Sequence, residues 1–219
     1  VLYGGSVNSK NINVLKKINF KFQLGKIYSI MGPSGSGKST LLNLISLIDK
    51  PTSGSIKFLN KTIDFNNNEN NDIFRANNIG IIYQQDNLLT DFTALENVYL
   101  ACLASGLDKN YSKLKAVNIL KQVGLANRID HYPNELSGGE KQRVSISRAL
   151  VNEPNIILAD EPTGSLDKKN ADEIFDLLKK QITPNRLILF ATHNRFLANK
   201  SDCLLEIVDG RLKLINARF

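Results

Sequence analysis

The chain has 219 residues, of which 42% are hydrophobic and 22% charged, and its formal net charge is +7. This composition is that of an ordinary globular domain, and it excludes a disordered tail, a collagen-like rod and a disulfide-rich scaffold. We expect neither a membrane-spanning helix, which needs roughly 18 apolar residues in a row, nor a secretion signal. The positive charge favours an anionic partner such as a nucleotide, a nucleic acid or a lipid surface, although solvated lysine-rich faces would give the same balance.

The two cysteines, Cys102 and Cys203, lie far apart in apolar or mixed surroundings. Their spacing matches no metal-binding pattern. We therefore expect two buried thiols in a reducing compartment, for which the cytoplasm is the default.

The first half of the chain alternates between short buried strands and helical segments. Residues 26–31 are predicted to form an apolar strand that leads into a glycine-rich loop, and the apolar spacing from residue 40 onward predicts a helix. That helix is expected to end near the turn cluster at residues 50–54. The polar, asparagine-rich residues 66–71 are interpreted as an exposed loop, and residues 79–83 as the next buried strand.

The second half is predicted to contain a helical insertion followed by two buried strands. Residues 93–125 and 137–151 have helical periodicity, which indicates a helical subdomain inserted at about 92–150. Residues 155–159 and 187–191 are short continuous apolar runs. Such runs suit parallel strands covered on both faces, so the chain is predicted to have an α/β fold.

The loop after the first strand matches the phosphate-binding loop pattern, which ends in Gly, Lys and then Ser or Thr. Its residues are Gly32, Pro33, Ser34, Gly35, Ser36, Gly37, Lys38, Ser39 and Thr40. Glycines let the backbone N–H groups approach phosphates, and the helix that follows adds its positive N-terminal end. Lys38 is expected to reach the terminal phosphates and Ser39 to bind Mg²⁺. An ordinary glycine-rich turn would explain the glycines but not the lysine after them.

The strand at 155–159 is followed by two adjacent carboxylates, Asp160 and Glu161. They should lie at the edge of the sheet that also carries the phosphate-binding loop. Asp160 is expected to hold the Mg²⁺ shell, and Glu161 to polarise and orient the water that attacks the terminal phosphate. Without that loop, the same residues would equally well form a polar turn.

A third motif, Leu-Ser-Gly-Gly-Glu, occupies residues 136–140. Ser137 and Glu140 have the spacing of a capping box and should begin a helix. Capping does not explain Gly138 and Gly139, because each glycine costs roughly 1 kcal/mol relative to alanine within a helix. We infer a second anion site at this helix N-terminus.

The phosphate-binding loop, the Leu-Ser-Gly-Gly-Glu motif and the Asp160-Glu161 pair, which follow one another in this order along the chain, resemble the motifs of the nucleotide-binding domain of ABC transporters, and the resemblance covers nearly the whole chain. The family implies a P-loop NTPase fold, with a RecA-like core, a mostly parallel sheet, a small antiparallel β part and the inserted helical subdomain. It also implies one such domain over residues 1–219, with ATP as the nucleotide and Mg²⁺ as its metal ion.

Further residues take a role only from this resemblance. Gln84 is implied to touch Mg²⁺ and sense the transporter, and His193 to act as a switch near the γ-phosphate. Ser165 and Asp167 are implied to lie in a loop that crosses a dimer interface. Tyr3 is implied to stack on adenine, which is an apolar and π contact.

Two residues depart from the pattern, since Asn194 stands where Asp is usual and Ser165 where Asn is frequent. These departures bear on the switch and the interface more than on hydrolysis. Within the family, residues 88–98 and 158–164 look most like the ATPase of bacterial lipoprotein-releasing complexes. Exporters of macrolides or peptides and cell-division complexes share much of this pattern and are alternatives.

The resemblance implies that two copies pair head to tail. Each ATP would lie between the phosphate-binding loop of one copy and Ser137, Gly138, Gly139 and Glu140 of the other. Integral membrane permease subunits would dock near the segment after Gln84 and the inserted helices, at the cytoplasmic face of the bacterial inner membrane. No direct nucleic-acid contact is expected.

Two other classes of function are weighed against this one. A non-transport ABC ATPase acting on nucleic acid or ribosomes would suit the positive charge, but such proteins usually have paired domains or long insertions. A catalytically silent nucleotide switch would lack the base, whereas Glu161 and His193 are both present.

Overall fold

A six-stranded sheet lies at the centre of the computed structural model, which describes residues 2–3, 12–59 and 61–217. The strands are β1 (Leu2–Tyr3), β2 (Ile12–Asn13), β3 (Ile27–Met31), β4 (Lys57–Phe58), β5 (Lys61–Thr62), β6 (Ile79–Ile82), β7 (Ile156–Asp160), β8 (Leu187–Ala191), β9 (Cys203–Val208) and β10 (Arg211–Ala217). The large sheet has the order β10-β9-β3-β8-β7-β6, and its strands are parallel except that β10 pairs antiparallel with β9. β1 with β2 and β4 with β5 form two small antiparallel pairs.

Helices pack on both faces of the large sheet. They are α1 (Lys38–Ile45), α2 (Asn68–Asn78), α3 (Ala94–Ala104), α4 (Lys109–Gln122), α5 (Gly138–Leu150), α6 (Lys168–Lys179) and α7 (Arg195–Ala198), with 3₁₀ turns at Ala126–Arg128 and Pro133–Glu135. α1 covers one face, and α5 and α6 cover the other. Among the described residues, no helix combines the length and the apolar character needed to cross a membrane.

The central strands are apolar throughout because both of their faces are covered. In β8, Leu187 and Leu189 belong to the cluster that packs against α1, whereas Ile188 and Phe190 belong to the cluster on the opposite face. Successive side chains of a strand point to opposite faces, so a strand buried on both sides has no polar alternation. This explains why the continuous apolar run at 187–191 was a reliable strand signal.

A third cluster of buried side chains lies in the helices between β6 and β7. Val98 of α3 and Leu120 of α4 contribute to it, together with Val144 of α5. Two residues further along α5, Ile146 packs in the cluster on the face of the large sheet that α5 and α6 cover. The helix α5 is therefore shared between the helical part and the sheet.

Both cysteines are free and buried, as the sequence predicts. Cys102 lies in α3 and Cys203 begins β9. Burial raises the pKa of each thiol. Both side chains therefore behave as small apolar core residues at neutral pH.

The prediction of an exposed loop at residues 66–71 is wrong, because α2 begins at Asn68. The Asn67 Oδ1 atom accepts a hydrogen bond from the backbone of Asn70 at 3.1 Å and caps the helix. Asn71 is buried, and its Nδ2 atom donates to the carbonyl of Asp64 at 2.9 Å. Asparagine favours turns but also helix N-caps, and here the capping role prevails.

Two further helix limits differ from the sequence interpretation. α1 ends at Ile45, before the predicted turn cluster, because the Ser46 hydroxyl donates to the carbonyl of Asn43 and Leu47 adopts a left-handed φ of 61°. The segment at 93–125 contains two helices rather than one. The break falls at Gly106, whose φ is 87°, and Asp108 then caps α4.

Candidate functional site

The phosphate-binding loop links the end of β3 to the start of α1. Gly35 and Gly37 have φ values of 76° and 104°, in the left-handed region that glycine adopts readily. A Cβ atom at Gly32 would approach the Ser36 Oγ atom and the carbonyl oxygen of Ile207 to 2.7 Å each. The glycines therefore allow a tight turn whose backbone stays open to a ligand at Gly35, where a Cβ would meet nothing within 4 Å.

Lys38 is folded into this loop. Its Nζ atom donates to the carbonyls of Gly32 at 2.9 Å and Pro33 at 3.2 Å, and the residue is 6% exposed. The Ser36 hydroxyl is buried and has no hydrogen-bond partner among the described residues. A buried ammonium beside an unpaired hydroxyl donor, at the start of a helix, suits a bound phosphate.

Glu161 and His193 meet Lys38 at the same edge of the sheet. Glu161 directly follows β7 with a left-handed φ of 48°, and its backbone N–H donates to the carbonyl of Ala191 at 3.0 Å. The backbone N–H of His193 donates to Glu161 Oε2 at 3.2 Å. The His193 Nε2 atom lies 3.3 Å from Glu161 Oε1 and 3.3 Å from Lys38 Nζ.

This arrangement leaves the Glu161 carboxylate available for chemistry. Its side chain is 14% exposed, and Oε1 has no partner with hydrogen-bond geometry in the described part of the chain. A buried carboxylate oxygen without a donor is costly unless a ligand or water serves it. A left-handed backbone at a non-glycine residue is also strained, and such strain is concentrated at functional sites.

Oxygen donors for a magnesium ion follow three strands of the sheet. Ser39 lies in the first turn of α1 after β3, Asp160 is the last residue of β7, and Gln84 lies two residues beyond β6. Hydroxyl, amide and carboxylate oxygens fit Mg²⁺, which usually keeps waters and substrate phosphates as further ligands. The described residues contain no cluster of three or more His, Cys, Asp or Glu side chains that could hold a metal alone. The donor set therefore fits a metal that is completed by nucleotide phosphates.

Gln84 adjoins the loop that follows Glu161. Its Nε2 atom lies so near Gly164 that a Cβ there would meet it at 3.1 Å. Gln84 and Ser165 line the same surface groove. The structure thus brings Gln84 close to one residue of the predicted interface loop.

The Leu-Ser-Gly-Gly-Glu motif forms the predicted capping box at the start of α5. The Ser137 backbone and hydroxyl both donate to Glu140 Oε2 at 2.8 Å, and the Glu140 backbone donates back to Ser137 Oγ at 3.3 Å. A Cβ at Gly139 would meet Asn170 Oδ1 at 2.9 Å, whereas one at Gly138 would have only Leu166 within 4 Å. Packing therefore accounts for Gly139 in part and does not account for Gly138.

The side chains of this turn find their hydrogen-bond partners outside the phosphate-binding loop of their own chain. Among the described residues, no hydrogen bond or ion pair links 137–140 to 32–40. Ser137 is an exposed residue. The turn can therefore meet a ligand that is held by another molecule.

The predicted interface and switch residues also cap helices. Asp167 caps α6 by accepting a hydrogen bond from the Asn170 backbone at 3.0 Å, and hydrogen bonds from Asn170 lower its pKa. Asn194 caps α7, because its Oδ1 atom accepts from Phe196 and Leu197 at 3.0 and 3.2 Å. Asn and Asp cap helices about equally well, so an Asn after His193 preserves the local backbone.

Tyr3 lies in β1, where its backbone pairs with Ile12. Its side chain is outside the described residues. Stacking of Tyr3 on adenine therefore stays a prediction.

Sequence reasoning missed two side chains of α5 that contact the segment around Gln84. Gln142 Nε2 donates to the carbonyl of Tyr83 at 3.3 Å. Arg148 donates to the carbonyls of Asp86 and Asn87. A usable signal was the occurrence of these long polar side chains among the apolar positions of a helix that is buried on two sides.

We expect the ion pair of Glu140 to make stability depend on pH. The hydrogen bond from the Arg128 side chain, followed by those from Ser137, lowers the pKa of Glu140 from 4.5 to about 2. The folded pKa lies below the unfolded one, so this stabilisation is present above pH 4.5 and is lost as the pH falls toward 2. Urea unfolding should show Glu140→Gln destabilised by about 1 to 2 kcal/mol at pH 7. The difference from the parent should shrink at pH 3, and a difference that is equal at both pH values would contradict this account.

Comparison with known proteins agrees with the geometry. A family model described as ABC transporter matches residues 15–164. The chain is 46% identical to the lipoprotein-releasing system ATP-binding protein LolD of Wigglesworthia glossinidia brevipalpis, over 94% of this chain and 90% of that protein. It is 41% identical to an uncharacterized ABC transporter ATP-binding protein, MJ1508, of Methanocaldococcus jannaschii, over 97% of this chain and 95% of that one.

Solved structures give the same result. The dimeric post-hydrolysis state of the ATP-binding cassette MJ0796 bound to ADP and Pi superimposes with a TM-score of 0.88 at 37% identity, covering 98% of this chain and 95% of that one. The predicted α/β P-loop fold is confirmed by this match and by the mostly parallel sheet. The chain belongs to the ABC transporter family, as an ATP-binding subunit that hydrolyses ATP and is similar to LolD proteins.

Proposed function

We propose that the chain is the ATPase subunit of a bacterial lipoprotein-releasing complex. The observation that carries the ATPase part is the meeting of Lys38, Glu161 and His193 at one edge of the sheet, with Nε2 of His193 3.3 Å from both other side chains. The similarity to relatives named LolD supports lipoprotein release as the process that ATP hydrolysis drives.

Different residues bind the phosphates and accept the proton of the attacking water. The loop at 32–40 binds the phosphates through its backbone N–H groups, and the Lys38 ammonium turns from the carbonyls of Gly32 and Pro33 to the terminal phosphates. Glu161 orients the attacking water and accepts its proton through Oε1, a buried carboxylate oxygen that receives no well-aligned hydrogen bond from the described residues. His193, within reach of both Lys38 and Glu161, senses the γ-phosphate and holds the carboxylate in place.

Ser39, Gln84 and Asp160 would hold Mg²⁺ at this edge. When bound, the ion supplies charge neutralisation for the phosphate oxygens. The proximity of Gln84 to Gly164 would make the loop after Glu161 sensitive to nucleotide.

We propose that two copies form an ATP sandwich. Ser137, Gly138, Gly139 and Glu140 of one copy would face the nucleotide on the other copy, which suits an exposed capped helix start that does not contact its own phosphate loop. Ser165 and Asp167 would lie at the interface. Tyr3 would stack on the adenine of the bound nucleotide.

The complex would be completed by integral membrane permease subunits similar to LolC and LolE. They would dock near the segment after Gln84, whose residues line a surface groove, and on the helical subdomain inserted at about 92–150 of a single domain. The chain would then lie peripherally at the cytoplasmic face of the inner membrane, with no direct contact to nucleic acid.

Reconstitution tests this function. We expect the chain, placed with LolC/LolE-like permeases in vesicles that contain a lipoprotein, to release that lipoprotein when Mg-ATP is added. The Glu161→Gln variant serves as the inactive control. Assembly with those permeases without release would contradict the substrate assignment. A high affinity for DNA or RNA that falls steeply with salt, without permease binding, would instead favour the nucleic-acid alternative.

A further inference from the structure

Arg148 of α5 forms a two-point contact with the loop that carries Gln84. Its Nη1 atom donates to the carbonyl of Asn87 at 2.8 Å, and its Nη2 atom donates to the carbonyl of Asp86 at 2.8 Å. The two acceptors belong to adjacent residues. A planar guanidinium can serve both at once, and the single nitrogen of lysine cannot reproduce this fork.

The loop has few other polar anchors. Within the described part of the chain, Arg148 makes the only hydrogen bonds that reach residues 84–88 from outside that segment. Leu88 packs in the helical cluster and provides an apolar anchor at the far end. Gln84 lies between the end of β6 and the residues that Arg148 contacts, and it is exposed.

Arg148 binds the loop at a turn with a distinct backbone conformation. Asn87, one of its two acceptors, has a left-handed φ of 47°, which asparagine adopts more readily than most other non-glycine residues. Among the described residues, Arg148 forms no short ion pair, and the acceptors of its guanidinium hydrogen bonds are the two backbone carbonyls, while the Asp86 carboxylate attracts it at longer range. Arg148 is partly buried, and hydrogen bonds from a charged donor are roughly twice as strong as those between neutral groups.

The same helix begins at the Ser137–Glu140 turn. Arg148 lies ten residues after Gly138 in α5, which is about 15 Å along the axis at the usual rise of an α-helix. Gln142 on this helix also donates to Tyr83, just before Gln84. One rigid element therefore carries the proposed trans-acting turn at its start and contacts both sides of Gln84.

We propose that Arg148 is a positioning residue for ATP hydrolysis, which holds Gln84 at the metal-binding edge and moves its loop together with α5. This inference rests on the proposed ATPase mechanism. Arg148 does not touch the nucleotide, and it acts through the backbone of residues 86 and 87. Loss of the fork should let Gln84 move while the phosphate-binding loop remains intact.

The test compares Arg148→Gln and Arg148→Lys with Arg143→Gln. Arg143 is the matched control, because it lies on the same helix and donates to the carbonyl of Val123 and to Glu173, but not to the loop. We expect both Arg148 variants to lower kcat about tenfold with KM for ATP changed less than about twofold. Arg143→Gln should keep the parental kcat even if its melting temperature falls as far as that of the Arg148 variants.

A double variant shows whether Arg148 acts through Gln84. If it does, Arg148→Gln combined with Gln84→Ala should be no slower than Gln84→Ala alone. If Arg148 had only a structural role, the fold losses in kcat of the two single variants would multiply in the double variant. Multiplied losses, or parental kcat in both Arg148 variants, would overturn the inference while leaving the ATPase proposal intact.

Hydrogen exchange supplies a readout that does not depend on turnover. Amides of residues 84–88 should exchange faster in Arg148→Gln than in the parent, and Arg143→Gln should leave them unchanged. Unchanged exchange in Arg148→Gln would show that the fork does not hold the loop, and would overturn the inference directly. A parent that binds ATP without releasing phosphate would contradict the proposed mechanism itself.

Discussion

The Glu161→Gln variant is expected to lose at least about 100-fold in phosphate release while it still binds ATP, since a positioned general base contributes roughly 10² to 10⁴ in rate. Glutamine has nearly the same shape as glutamate but cannot accept the proton of the attacking water. The hydrogen bond from the Glu161 backbone N–H to the carbonyl of Ala191 does not involve the substituted side chain and should persist. The strained turn after β7 should therefore stay in place. Phosphate release and ATP titration, carried out on the same preparation, measure the two quantities.

Glu153→Gln is the matched control for this change. Glu153 is also a glutamate with a left-handed φ, but its side chain is 76% exposed and pairs with Lys115 at 3.0 Å. Its variant should turn over ATP at the parental rate, because exposed ion pairs contribute little. If Glu161→Gln also retained the parental rate, Glu161 would not be the base.

The Gly80→Ala variant is expected to lose about 3 kcal/mol of unfolding free energy, at the upper end of the usual cost of overpacking a core. Gly80 lies in β6, and a Cβ there would collide with the backbone carbonyl of Ala149 in the last turn of α5. A backbone carbonyl cannot rotate away as a side chain can, so the helix must shift from the sheet. Urea unfolding monitored by circular dichroism measures the loss.

Ser145→Ala is the control for position within this interface. Ser145 is buried in α5, and its hydroxyl has no hydrogen-bond partner among the described residues. Removal of an unpaired polar atom should change stability by less than about 1 kcal/mol. A Gly80→Ala variant as stable as Ser145→Ala would mean that β6 and α5 do not approach each other this closely.

The local sequence predicts the sheet and the phosphate-binding edge well because both depend on short-range rules. Residues 187–191 form a strand at the predicted positions, since a continuous apolar run with polar ends fits a strand covered on both faces. The loop before Lys38 follows from the glycine spacing, which sets the backbone conformation directly. Asp160, the last residue of β7, and Glu161, which follows it, lie at the same edge because parallel strands end together.

Other features depend on contacts that one segment of sequence does not contain. The asparagines at 67 and 71 could serve a loop or a helix cap equally well, and the choice depends on the carbonyl of Asp64. The contact of Arg148 with Asp86 and Asn87 spans about 60 residues of chain. Gly139 can be explained only once α6 is known to pass beside it.

Light scattering of Glu161→Gln with and without Mg-ATP measures whether ATP joins two copies of the chain. We expect a monomer without nucleotide and a doubling of mass with Mg-ATP, because the uncleaved γ-phosphate joins the loop of one copy to the Ser137–Glu140 turn of the other. A variant that binds Mg-ATP but keeps the mass of one chain at every concentration would contradict the ATP-sandwich mechanism.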